Sequence, residues 1–128
     1  MQEILKKYEG HIMDTETQNA LNKPLVDANG MSETTGSFLE KLLEKLEKGG
    51  INPHNSQTLY NHDIYDKLSE EEQEAADLTA INLMSLIRQI ERLWKLDKSP
   101  SFQIRNLVES VFQMKSKFEG LHGDVYII

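Results

Sequence analysis

Four carboxylates in this chain stand at spacings that suit a divalent cation. Glu44 and Glu47 are separated by Lys45 and Leu46, and Glu74 and Asp77 by Ala75 and Ala76. Acids three residues apart project from one side of a helix. Mg²⁺ takes oxygen ligands in a near-octahedral cage and keeps positions for water and substrate phosphates. Two such pairs on facing helices would supply the protein's share of that cage. A second group, His62-Asp63 with Asp66, offers an imidazole and two carboxylates to a divalent metal. The other histidines, His11, His54 and His122, show no pairing pattern with it. The chain holds 21 acids in 128 residues, so these spacings also arise from composition alone. The competing readings are a solvated acidic face for the four carboxylates and a polar turn ahead of a helix cap for His62.

The order Glu44-x-x-Glu47 then Glu74-x-x-Asp77 resembles the all-α nucleoside triphosphate pyrophosphohydrolases. Glu74-Ala75-Ala76-Asp77-Leu78 is the segment most similar to that family. The resemblance implies an all-α fold in which Glu44, Glu47, Glu74 and Asp77 hold Mg²⁺, and in which the metal binds substrate phosphates and activates water. It covers these two short segments. The first of them lacks the additional adjacent acid usual in the family, and no set of basic residues is placed to hold a triphosphate.

The elements that must position these residues are helices. Phe38, Leu39, Leu42, Leu43 and Leu46 fall on one arc at 100° per residue, which predicts a helix over Ser37–Lys48 ended by Gly49-Gly50. Ser69 followed by Glu72 is a capping box for a long helix, Glu70–Leu96, of about 40 Å. Its main stripe is Ala76, Ala80, Leu83, Leu86, Ile87, Ile90, Leu93 and Trp94. Lys98-Ser99-Pro100 stops that helix and starts the next, Pro100–Glu119, with Gly120 as its left-handed cap. The short link predicts an antiparallel helical hairpin. Asn55–Leu68 is compatible with a short helix or an ordered loop. Short helices are expected at Gln2–Tyr8 and from Asp14 to Leu21, and Lys23–Ser37, with its Asn29-Gly30 turn, is expected as a linker or mobile arm. The reading is therefore all-α: an N-terminal arm over 1–36 and a small helical bundle over 37–128.

Leu78, Ile81 and Met84 lie off the main stripe of the long helix, on its far side near Arg88. One stripe suffices for a simple bundle, so this second one must be covered by the Ser37–Lys48 helix or by another subunit. The chain also ends on four apolar residues, Val125, Tyr126, Ile127 and Ile128. They either fold back on the bundle or act as a docking strand. A homodimer built on either surface is one expectation, cyclic dimers being the commonest oligomers, and a well-covered central helix in a monomer is the other.

Composition removes other functions. There are no cysteines, so disulfides, thiolate metal sites and cysteine nucleophiles are excluded. No Gly-x-Ser-x-Gly elbow or glycine-rich phosphate loop is present. Net charge is −7, and the last helix presents only Arg105, Lys115 and Lys117 on different sides. That disfavours nucleic acid, which is bound through clustered Lys and Arg. Nothing approaches the roughly 20 apolar residues of a membrane span. The N-terminus shows no basic-then-apolar leader, and mean hydropathy is −0.53, so a cytoplasmic location is expected. The function that fits is non-enzymatic: an acidic bundle acting through protein–protein contact, as an adaptor, chaperone-like or regulatory subunit. Its expected contact residues are Leu78, Ile81 and Met84 with Tyr126, Ile127 and Ile128, and it needs no cofactor.

Overall fold

Ser69 caps its helix as its side chain requires. In the computed structural model, which describes residues 15–95 and 101–128, the Ser69 hydroxyl accepts from the Glu72 backbone N–H at 3.2 Å. The Glu72 carboxylate accepts from the Ser69 N–H at 3.1 Å in return. In chain order the elements are α1 (Thr15–Leu21), β1 (Pro24–Val26), β2 (Ser32–Thr34), α2 (Thr35–Glu47), a 3₁₀ turn (Ser56–Leu59), α3 (His62–Tyr65), α4 (Glu70–Trp94) and α5 (Ser101–His122). The fold is mainly helical, with one small two-stranded sheet. The expected helix at Gln2–Tyr8 and the Lys98-Ser99-Pro100 junction lie outside the described residues.

Two helix ends differ from expectation. α2 begins earlier, because the Thr34 hydroxyl accepts from the Ser37 N–H at 3.1 Å and serves as its N-cap. α5 runs past Gly120 to His122, and Gly123, at φ +78°, takes the left-handed position instead. Gly120 has a packing role. A Cβ placed there would lie 3.0 Å from the Ala28 Cβ, so a small residue lets the backbone of residues 27–31 approach the helix. The Gly49-Gly50 stop stands where expected, with Gly49 at φ +77°.

The segment expected as a linker is ordered by pairing. β1 and β2 form an antiparallel ribbon in the register Pro24↔Thr34, Leu25↔Glu33, Val26↔Ser32. Asp27 closes its tip by accepting from the Asn29 and Met31 N–H groups, both at 2.9 Å. Buried Thr35 ties the ribbon back to the end of α1 by donating both its N–H (2.8 Å) and its hydroxyl (3.0 Å) to the Lys23 carbonyl. Leu21 and Leu25 belong to the same buried cluster as the long helices.

The long helix α4 is covered by α5 and by the segment of the 3₁₀ turn, and α5 is itself covered on two sides. α4 packs along one flank, and α1 and α2 along another. Ile104, Val108, Val111 and Phe118 join Ala76, Ala80, Leu83, Ile87 and Ile90 in the core. α4 and α5 lie with opposite polarity. His122 at the end of α5 meets Glu72 at the start of α4, while Gln89, Arg92 and Leu93 share a cleft with Gln103, Asn106 and Leu107. Trp94 is fully buried, in keeping with a core role. Among the described residues no helix is long and apolar enough to cross a membrane.

Two substitutions separate capping from packing. Ser69→Ala is expected to cost about 1 kcal/mol. Phe38→Ala, at a ring 5.2 Å and edge-on to Phe112, is expected to cost about 3–5 kcal/mol. Urea unfolding checks the order; a smaller loss for Phe38→Ala than for Ser69→Ala would contradict the packing of α2 on α5.

Candidate functional site

The four metal-candidate carboxylates are not brought together. α2 packs on α5 and α1, so its acids are not laid against the α4 pair. Glu44 pairs with Lys48 at 2.6 Å, one turn along its own helix. Glu47 and Glu74 are exposed. Asp77 alone points into structure, where its Oδ1 accepts from the hydroxyls of Tyr60 (2.7 Å) and Tyr65 (2.9 Å). Among the described residues no group of three or more His, Asp or Glu side chains is placed to hold a metal ion. His62 likewise makes a local contact, its Nδ1 3.5 Å from Asp66 Oδ1. Its ring stands edge-on to Tyr60 and Tyr65, with centroids 5.9 Å and 5.8 Å away.

What the fold does assemble is an aromatic junction around Asp77. Tyr60 follows the 3₁₀ turn, and Asn61 caps α3 by accepting from the Asp63 N–H at 3.1 Å. That short helix carries Tyr65 back over Tyr60, and the two rings stack at 4.4 Å. The C-terminal tail enters from the other side. Its Tyr126 ring lies 6.1 Å from Tyr60 and 5.5 Å from Phe118, and its hydroxyl donates to the Ala76 carbonyl at 3.1 Å. Two main-chain bonds hold the tail as an antiparallel bridge: Asn61 N–H to Val125 O (2.6 Å) and Ile127 N–H to Leu59 O (3.0 Å). The Lys45 ammonium donates to the Ile127 carbonyl.

Burial pushes the Tyr60 phenol well above its ordinary range, with the Asp77 hydrogen bond and charge adding to it. Burial and then Asp77 act on Tyr65 in the same direction. Tyr126 is pushed up to about 12, first by burial, with the Thr79 hydrogen bond opposing and the Asp77 charge adding. These phenols are hydrogen-bond donors at neutral pH. Asp77 serves Tyr60 and Tyr65 as a shared acceptor that joins Tyr60, α3 and α4.

The expected contact residues divide. Leu78 and Ile81 are 62% and 59% exposed, but Met84 is 3% exposed and belongs to the core. The segment from Ile51 to Tyr65, not α2, covers that flank of α4: the Pro53 carbonyl accepts from Arg88 at 2.6 Å, and Tyr60 and Tyr65 reach Asp77. Tyr126, at 2% exposure, is also interior, whereas Ile127 stays at the surface and Ile128 packs partly on the core. The tail thus folds back. The sequence pattern does not single out Tyr60, Tyr65 or the His122–Glu72 pair, which stand 2.7 Å apart. Three of the chain's four tyrosines meet here, yet nothing in their spacing links residues 60 and 126.

Compared with models of protein families, with curated proteins and with solved structures, the chain matches none.

Two pH responses follow, one from the junction and one from the capping box. A phenol raised on folding contributes stability that is complete below its ordinary value of 10.0 and is lost as pH rises through the folded value of about 12. Between those limits Tyr126→Phe is expected to lose less thermal stability than the wild type; an identical decline would contradict the buried phenol. On the acid side, the Ser69 backbone and hydroxyl hold the Glu72 carboxyl below its usual 4.5, with His122 assisting. That contribution is present above 4.5 and is lost as pH falls through the lower folded value. Glu72→Gln is therefore expected to flatten the acid limb of a stability–pH curve, and an unchanged limb would count against the capping box as its source.

Proposed function

We propose that this chain is a small acidic protein of the cytoplasm that works by protein–protein contact, as an adaptor, chaperone-like or regulatory subunit rather than an enzyme. In this reading an antiparallel hairpin of α4 and α5 is the rigid core of the bundle and presents the outer face of α4 to a partner. Leu78 and Ile81 carry the proposal. They are one turn apart on the outward side of a helix whose inward side is fully packed, and both are more than half exposed. Helices that dock into a partner's groove do so through apolar anchors three or four residues apart. A second copy of the chain is the first partner to test, because a cyclic dimer needs only one self-complementary patch.

The test is a double substitution, Leu78→Asp with Ile81→Asp. Both sites are at the surface, so the thermal midpoint is expected to change little, within about 0.5 kcal/mol for each site. Self-association in sedimentation velocity, or retention of a partner from native lysate, is expected to be lost. If neither changes while the wild type shows either one, the outward face of α4 is not a contact surface.

A further inference from the structure

The slot that holds Val125–Ile128 has the construction of a peptide-binding groove. Its floor is main chain: the Asn61 N–H and the Leu59 carbonyl hydrogen-bond an extended strand on either side of one antiparallel residue pair, Tyr60 with Tyr126. This is the ladder by which an extended segment adds to an exposed edge. Its specificity pocket is closed by Tyr60 and Phe118, with the Ala76 carbonyl at the bottom as acceptor for a phenol. Val125 is fully buried beside it, and the Lys45 ammonium meets the carbonyl of Ile127 at the far end.

The occupant is joined to the fold by very little chain. α5 ends at His122, and Gly123, at φ +78°, begins the reversal. Gly123 and Asp124 are exposed, and they form the whole tether between the helix and the buried Val125-Tyr126 pair. The contacts beyond the tether reach residues 50 and 82 positions away in sequence.

We propose that this groove binds its segment as a ligand, and that its occupant in trans is the Val125–Ile128 segment of a second copy of the chain. Any copy's groove fits any copy's Val125–Ile128 segment, which makes exchange of that segment a low-cost route to association. In the single chain the tail competes at an effective concentration on the order of millimolar, set by its short tether. The proposal concerns the tail and not Leu78 and Ile81, so it stands or falls separately from the contact face of α4.

The test uses the full-length chain and a fluorescent peptide of residues 123–128, Gly-Asp-Val-Tyr-Ile-Ile. The full-length Tyr126→Ala variant, whose own tail cannot fill the pocket, is expected to bind the peptide saturably in fluorescence anisotropy. Wild-type chain should bind at least about tenfold more weakly, because its own tail competes. The same peptide with alanine in place of tyrosine should not bind the variant. Equal binding of both peptides, equal affinity for wild type and variant, or no binding to the variant would each overturn the proposal. If circular dichroism shows that Tyr126→Ala does not fold, Ile127→Pro replaces it. That substitution removes the N–H donated to Leu59 and so weakens the chain's own tail as a competitor for the groove, and the same outcomes apply. Loss of helix in both variants would make the tail a fixed part of the core, and that result also overturns the proposal.

Discussion

The structure depends on burying α5 on two sides. One side is apolar and meets α4. The other side carries Lys115, Ser116 and Glu119 as well as Phe112, and it must nevertheless accept α1, α2 and the ribbon. A charge removed from water is costly unless it is paired and hydrogen-bonded. Lys115 and Glu119 meet this condition at 3.3 Å, with side chains only 15% and 13% exposed. The Lys115 ammonium also lies 5.7 Å from the ring centres of both Phe38 and Phe112, a cation–π arrangement. Burial still raises the Glu119 carboxyl, with the lysine opposing. Ser116 finishes the face by accepting from the Ala28 N–H at 2.6 Å, which fixes the ribbon where Gly120 leaves it room.

This arrangement decides the fate of the acids. Once α2 lies on α5, it cannot also lay Glu44 and Glu47 against Glu74 and Asp77. The flank of α4 that would have faced them is taken by residues 51–65, which insert Tyr60 and Tyr65 between Asp77 and solvent. A carboxylate that by spacing suited a cation becomes the acceptor of a tyrosine junction. The same junction receives the tail, so α4, α3 and the chain's end are joined at one place. Leu78 and Ile81 remain outside because the covering segment passes beside them without reaching over them.

The helices were legible where side chains act on their own backbone or repeat along it. The Ser69–Glu72 box and the Gly49 stop are local, and the arc of Phe38, Leu39, Leu42 and Leu43 needs no knowledge of its partner. The ribbon was not legible because each strand is three residues long, too short for an alternation to register, although its Asn29-Gly30 turn was visible. The sequence points to Gly120 as a helix end because a glycine near the end of an apolar pattern looks the same whether it caps the helix or lets another segment approach. Met84 falls with the outer stripe by periodicity because its position lies near the stripe's edge, and only the covering loop makes it interior.

The sequence by itself determined the class of fold, the extents of the main helices within a few residues, and the absence of thiol chemistry. These follow from short-range periodicity, capping and composition. Tertiary structure alone decided which helix is central, which acids meet, and that Tyr126 enters a slot beside Tyr60. Each of those is a contact between residues tens of positions apart, set by how whole faces pack, and no local spacing encodes it. The Glu74–Asp77 pair shows the difference. Its placement one turn apart is a property of the chain, while the two phenols that engage Asp77 are a property of the fold.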